Sequence, residues 1–206
     1  MKKILCLVFI TILFSQCSSL EVTETKDETG RLVERYTVNK KTKLKDGLHE
    51  TFFASGSKSE ESQYQNGVLR GAQIFYYETG QIQEVRNFDE AGSFSGAYKS
   101  YHNNGHVKSE GQYLNGAMGG KWKFFYSSGN IKEILHFENN TENGPFIEYH
   151  ENGKIKAEGT YADEREHGLL KLYDEKGELT KQMQCDNGAC FTTWRSDMLK
   201  DSVKKL

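Results

Sequence analysis

Apolar and polar residues alternate along most of this chain in short runs that are separated by turns. In residues 120–137, an aromatic-rich run is followed by a turn that ends at Gly129 and then by a second run. Ile131 and Phe137 lie an even number of residues apart, so a strand would place both on one face. Two such runs, joined by three residues that end in glycine, predict a β-hairpin.

This hairpin pattern recurs about every 24 residues. The glycines that end the turns are Gly30, Gly56, Gly80, Gly105, Gly129, Gly153 and Gly177. A second series of glycines follows, and the residue five places past each member is aromatic. These aromatic residues are Phe52, Tyr76, Tyr101, Phe125, Tyr149 and Tyr173. A fixed period predicts an all-β fold of stacked β-hairpin repeats over residues 27–190, forming an elongated, twisted antiparallel sheet with the aromatic column as its core.

The composition agrees with this architecture. The chain has 206 residues with 20 glycines, one proline and 12% aromatic residues, which suits short strands joined by tight turns. A formal net charge of −2 gives no electrostatic reason to expect nucleic acid as a partner.

Residues 1–16 have the features of a secretory signal peptide. Lys2 and Lys3 precede an apolar stretch from Ile4 to Phe14, and those 11 residues are too few to span a bilayer, which needs roughly 20. We therefore exclude this segment from the predicted fold and expect a protein of the cell envelope.

Residues 13–17 resemble the lipobox of bacterial lipoproteins, in which a peptidase cuts before a cysteine that carries a diacylglycerol. A small residue is usual where Gln16 stands, so secretion with a free Cys17 remains an alternative to lipidation of Cys17. Cleavage here would remove both N-terminal lysines and change the net charge from −2 to −4. We expect membrane attachment through the acyl chains and not through charge, with the polar residues 17–26 as a tether.

Two further cysteines lie near the C-terminus. Cys185 and Cys190 flank a tight-turn sequence at residues 186–188. Outside the cytoplasm such a pair is expected to form a disulfide, and the alternative is two unpaired buried thiols. After this turn, residues 191–206 are predicted to form a cap with a short helix, and Trp194 would act as its lid.

Residues 120–133 follow the pattern Gly-x-Trp-x-Phe-Phe-Tyr-x-x-Gly-x-Ile-x-Glu, which resembles the MORN-variant repeats of bacterial secreted and lipid-anchored proteins. The resemblance covers about residues 27–190 and implies stacked hairpins in a twisted sheet. Some similar proteins carry the label of an antitoxin in a YwqK-type toxin–antitoxin system. The resemblance therefore implies an alternative function, a partner that neutralises a toxin protein by direct binding, although a signal peptide fits poorly with it.

No constellation of reactive residues supports catalysis. His102 and His150 occupy the same repeat position, which could build a ladder of metal ligands, but other repeats hold unrelated residues there. We expect no metal site, no cofactor and no enzyme activity.

The densest aromatic cluster is a candidate partner surface. Strand alternation places Trp122, Phe124 and Tyr126 on one face and Phe125 on the other, so both faces are apolar here. The alternative is that the sheet curls and buries this second face. We therefore expect a non-catalytic envelope lipoprotein that acts as a scaffold for an unidentified protein partner, with a glycan partner as the alternative.

Overall fold

Residues 19–197 are described by a computed structural model, and they form one antiparallel sheet of 17 strands. The strands are β1 (Leu20–Lys26), β2 (Leu32–Asn39), β3 (Lys45–Phe52), β4 (Lys58–Gln65), β5 (Val68–Tyr76), β6 (Ile82–Phe88), β7 (Gly96–Tyr101), β8 (Val107–Leu114), β9 (Ala117–Phe125), β10 (Ile131–Glu138), β11 (Thr141–Glu142), β12 (Gly144–Tyr149), β13 (Ile155–Ala162), β14 (Arg165–Glu166), β15 (Gly168–Tyr173), β16 (Leu179–Asp186) and β17 (Ala189–Arg195).

The strands lie side by side in the order in which the chain makes them. β1 pairs with β2, β2 with β3, and this continues to the pairing of β16 with β17. The two-residue strands β11 and β14 extend the pairings of β10 with β12 and of β13 with β15. Each hairpin therefore contacts only its neighbours, as expected for a repeat protein.

Hairpin turns of two kinds lie along the two long edges of this sheet. At one edge, the Gly129 amide donates to the Tyr126 carbonyl at 2.9 Å, and Gly129 has a positive φ of 93°. At the opposite edge, the two-residue turn Asn66–Gly67 has φ values of 50° and 83°. Only glycine and, less readily, asparagine adopt such angles at low cost, which explains the recurrence of glycine without any catalytic role.

A β-bulge follows each glycine turn of the first kind and determines which face a side chain occupies. In β10 the pairing register shifts between Ile131 and Glu133. Ile131 pairs with Phe125, whereas Glu133 pairs with Phe124, which points to the other face. Ile131 and Phe137 therefore lie on opposite faces, and the prediction that they share one is wrong.

The buried core lies on one face, which we call the inner face, and the opposite one is the outer face. Trp122 is 2% exposed and Phe146 is 3% exposed. Leu135, Phe146 and Ala157 form a cluster on the inner face, against which the ring of Phe124 packs. Aromatic rings continue this core along the inner face toward the N-terminus through Phe94, Tyr98 and Tyr113.

The predicted aromatic core column lies on the outer face. Phe52, Tyr76, Tyr101, Phe125, Tyr149 and Tyr173 are all half-buried, and each pairs with the residue two places past the next turn glycine. The column stabilises the outer surface of the sheet, but the core was predicted on the wrong face. The bulge after each turn reverses the alternation on which that prediction depended.

The two ends of the chain also differ from expectation. The segment predicted as a polar tether contains β1, which pairs along its whole length with β2. The segment predicted as a cap contains most of β17, and no helix occurs in residues 19–197, but the predicted short helix falls on the residues after Asp197. The remaining cap residues 198–206, the signal peptide and Cys17 lie outside the described residues.

Candidate functional site

Trp122, Phe124 and Tyr126, the predicted partner surface, lie on the inner face, where Trp122 is buried and the other two are half-buried. The indole of Trp122 packs on Gly111, where an added Cβ would lie 2.2 Å from Cδ2 of the ring. Phe124 is half-buried beside it, with ring centroids 6.3 Å apart. The Tyr126 hydroxyl donates to the Tyr149 carbonyl at 2.7 Å. Trp122 is therefore buried by packing on the inner face, whereas the sequence left open whether curling of the sheet would bury it.

His102 and His150 belong to a ladder of hydrogen bonds between consecutive turns. Nε2 of His102 lies 3.0 Å from the Phe125 carbonyl, and Nε2 of His150 lies 3.0 Å from the Tyr173 carbonyl. Tyr77 and Tyr126, at the same position in other repeats, donate to the next repeat in the same way. A column that holds only Tyr or His in four consecutive repeats was the signal for this role.

A polar cluster on the inner face near the N-terminus has the order of a nucleophilic triad. Nε2 of His49 lies 2.9 Å from Oε1 of Glu34, and Nδ1 lies 3.1 Å from Oγ of Ser62. Ser62, however, is 0% exposed, and its hydroxyl also donates to Glu60 at 3.2 Å. No substrate can reach this hydroxyl, so the cluster is a buried hydrogen-bond network.

A carboxylate pair lies further along the same face. Glu133 pairs across the strands with Glu148, and Nζ of Lys156 lies 2.8 Å from Oε2 of Glu148. Burial raises the pKa of Glu133, and the negative charge of Glu148 raises it further. Within residues 19–197, no group of three or more histidine, cysteine or acidic side chains is arranged to hold a metal ion.

The outer face carries two grooves at equivalent repeat positions. Groove 1 has a volume of about 440 Å³, and its floor is the backbone around Tyr98 and Gly111. Groove 2 has a volume of about 350 Å³, and its floor is the backbone around Phe146 and Gly159, 48 residues further on. Both grooves lie where a glycine lets a large inner-face ring approach the backbone closely.

Charged side chains line groove 1. Nζ of Lys123 lies 3.0 Å from Oε1 of Glu110, and Nζ of Lys99 lies 3.2 Å from Oε2 of the same carboxylate. The hydrogen bonds from Lys123 and Lys99 lower the pKa of Glu110. Lys121 also lines the groove and is exposed.

Groove 2 lies at the equivalent repeat position but has a different lining. Leu169, which is 47% exposed, takes the position of Lys121, and Ile147 takes that of Lys99. Glu158 accepts hydrogen bonds from Lys171 at 2.9 Å and from the Tyr173 hydroxyl at 2.8 Å, and both lower its pKa. Groove 2 is therefore charge-balanced and more apolar than groove 1.

The C-terminal hairpin is closed by a disulfide. Cys185 and Cys190 face each other directly in the pairing of β16 with β17, and their Cα atoms are 4.0 Å apart. Cys185 is 1% exposed. The sequence prediction of this disulfide agrees with the structure.

Comparison with known proteins identifies the repeat. The sequence model described as the MORN repeat variant matches residues 45–66, 69–90, 95–115, 118–139 and 142–163, which together cover more than half of the chain. No curated protein matches the chain. Residues 19–197 contain no helix that is long and apolar enough to cross a membrane.

Among solved structures, the chain resembles part of the one titled "Crystal Structure of TcdB2-TccC3-Cdc42", with 13% sequence identity and a TM-score of 0.26. The similar region covers 86% of this chain and 12% of that one, so the chain spans about an eighth of that structure's length. A likeness this weak carries no functional information. The five consecutive repeat matches and the stacked hairpins show that the chain belongs to the MORN repeat variant family.

Proposed function

We propose that this protein is a non-catalytic scaffold of the cell envelope, anchored through a lipid on Cys17, which binds a partner protein on the outer face of its sheet. MORN repeats commonly mediate binding to proteins or membranes, and the only triad-like cluster of residues 19–197 has its hydroxyl fully buried. The observation that most supports a protein partner is the recurrence of one groove at two equivalent positions on the outer face.

The geometry of a repeat sheet suits this role. Neighbouring hairpins are joined by strand pairing and by the hydrogen-bond ladder at the turns, for example from Tyr77 to the Tyr101 carbonyl at 2.7 Å. Sites on such strands are held more firmly than sites on loops. A partner that contacts both grooves would meet two binding positions whose spacing is set by the sheet itself.

Photo-crosslinking in intact cells tests this proposal. A photoreactive residue would replace Lys121 or Leu169 on the outer face, and a matched control would carry it at Asn103, an exposed turn residue outside both grooves. We expect the same partner protein to be captured from both outer-face positions and not from Asn103. Capture of that partner only from the turn, or no selective capture at all, would contradict an outer-face scaffold.

The anchoring half of the proposal has a separate test. Mass spectrometry of the mature protein should find a diacylglycerol on the N-terminal peptide that begins with Cys17, and a Cys17→Ser variant should lose both the lipid and the membrane fractionation. An intact 1–16 segment on a cytoplasmic protein would refute the envelope location and favour the antitoxin-like alternative.

A further inference from the structure

The two outer-face grooves differ in charge, and this difference specifies a ligand. Groove 1 contains three lysines and one glutamate, a formal charge of +2, although the whole chain has a net charge of −2. Glu110 is already paired with Lys99 and Lys123. Lys121 forms no ion pair within residues 19–197, so its ammonium group is available to an anionic ligand.

The lysines of groove 1 are placed for a charge-assisted contact. The side chains of Lys99 and Lys123 are 42% and 38% exposed, so each keeps donors free for a second carboxylate while it contacts Glu110. Hydrogen bonds between an ammonium and a carboxylate are roughly twice as strong as neutral ones. A carboxylate above the floor of groove 1 would therefore be favoured over a neutral group.

Groove 2 favours an apolar side chain at the equivalent place. Its charged pair, Glu158 and Lys171, is mutually satisfied at 2.9 Å. Leu169 and Ile147 replace two lysines of groove 1, and Pro145 is exposed beside them. An apolar side chain placed here would cover apolar surface that now faces water, which is favourable in proportion to the area buried.

The distance between the grooves determines the length of the ligand. Groove 1 centres on β8 and groove 2 on β13, which are separated by four strand spacings in the sheet. With adjacent strands about 4.8 Å apart, the grooves lie about 19 Å from each other. An extended peptide covers this distance in about six residues at about 3.3 Å per residue.

We propose that the outer face binds an extended segment of a partner protein that places acidic side chains in groove 1 and an apolar side chain in groove 2, about six residues away. This inference rests on the proposed scaffold function and names the chemistry of its partner. An anionic membrane surface is the less favoured ligand, because the acidic chain as a whole would be repelled by it.

Peptide binding to the purified mature protein tests the inference. The probe is a fluorescent peptide of about ten residues with two glutamates at one end, a leucine about six residues on and serines elsewhere. Its matched controls replace the glutamates with glutamines or the leucine with serine. We expect fluorescence anisotropy to show binding of the first peptide, weaker binding of either control, and an affinity that falls as salt increases.

Variants of the protein locate the contact. Lys121→Glu should weaken binding of the acidic peptide by at least about tenfold, because it removes one charge-assisted contact and places a like charge beside the peptide's carboxylates. Lys108→Glu makes the same change of charge at an exposed lysine outside the groove and should have little effect. Leu169→Ser should weaken binding of the leucine peptide but not of its serine control.

Each outcome decides the inference. Equal losses with Lys121→Glu and Lys108→Glu, or equal binding of the acidic and amide peptides, would overturn it. Binding to anionic lipid vesicles that Lys121→Glu abolishes, without peptide binding, would also overturn it and assign the groove to a membrane. In either case, selective crosslinking from Leu169 would remain as evidence for the scaffold, so the two proposals can fail separately.

Discussion

The contact between Trp122 and Gly111 permits a sharp test of the inner-face core. An alanine Cβ at position 111 would lie 2.2 Å from Cδ2 and 2.4 Å from Cε2 of the indole, distances so short that the ring or the strand must shift. Gly111 does not have a positive φ, so alanine brings no backbone strain there. The cost of Gly111→Ala therefore comes from displacing the ring.

The ring has little room to move. Trp122 is 2% exposed, and its centroid lies 5.3 Å from those of Tyr98 and Tyr113. Overpacking of a core typically costs about 1–3 kcal/mol, so we expect Gly111→Ala to lower the free energy of unfolding by at least that amount. Trp122→Ala should cost about 3–5 kcal/mol, because it removes a fully buried aromatic side chain.

In the Trp122→Ala background, the effect of Gly111→Ala on the free energy of unfolding should change sign. Without the indole, the methyl group has space, and alanine stabilises relative to glycine by about 0.4–1 kcal/mol through the unfolded chain. Gly111→Ala should thus destabilise the wild type and stabilise the Trp122→Ala variant. Urea unfolding followed by far-UV circular dichroism measures all four proteins of this cycle.

Gly159→Ala serves as a graded control for this cycle. An alanine Cβ at this equivalent repeat position would approach Cε1 of Phe146 at 2.8 Å and Cζ at 3.0 Å, which is a milder clash. The free energy of unfolding should therefore fall by less than for Gly111→Ala. If Gly111→Ala had the same effect with and without the indole, the packing of Trp122 on this strand would be refuted.

Three further predictions concern the disulfide, a carboxylate and the turns. Replacing Cys185 and Cys190 with serine should lower the free energy of unfolding by about 2 kcal/mol, the value expected for closing a loop of so few residues. Hydrogen exchange should quicken first in β16 and β17, and unchanged exchange in these two strands would contradict this prediction. Glu133→Gln should raise the melting temperature at pH 7 but not at pH 4. The reason is that a carboxyl whose folded pKa is raised loses its stabilising effect as the pH rises through that pKa. Equal changes of the melting temperature at both pH values would contradict this prediction. Tyr126→Phe should lower the free energy of unfolding by about 1 kcal/mol, since it leaves the Tyr149 carbonyl in the next repeat without its hydrogen-bond donor. An unchanged urea midpoint would show that the hydrogen-bond ladder between turns does not contribute to stability.

The repeat, the hairpins and the disulfide could be predicted because they depend on local chemistry. A turn that needs a positive φ favours glycine, and cysteines on either side of a two-residue turn lie close enough to pair, so both patterns can be recognised in the sequence. The position of the core could not be predicted in this way, because the bulge between Ile131 and Glu133 shifts alternation by one residue. Such a bulge is a property of the pairing of two strands and leaves no apolar pattern in either one.

Other features depend on contacts between repeats. Trp122 is buried because Gly111, on the neighbouring strand, has no side chain to keep it away. β1 is a strand although it is polar, because its backbone pairs with β2. The grooves depend on the packing of large inner-face rings against Gly111 and Gly159, and these contacts join different strands.

Deleting one whole period tests the central claim, that independent hairpin units stack through an inner-face core. Removal of residues 129–152 joins Ser128 to Gly153 and restores the turn pattern, so each remaining unit keeps a neighbour. We predict a shorter protein that keeps its β-sheet circular dichroism spectrum and unfolds cooperatively, whereas removal of residues 129–140 should abolish both properties. Unfolding of the first deletion variant, or folding of the second to the same extent, would contradict the account.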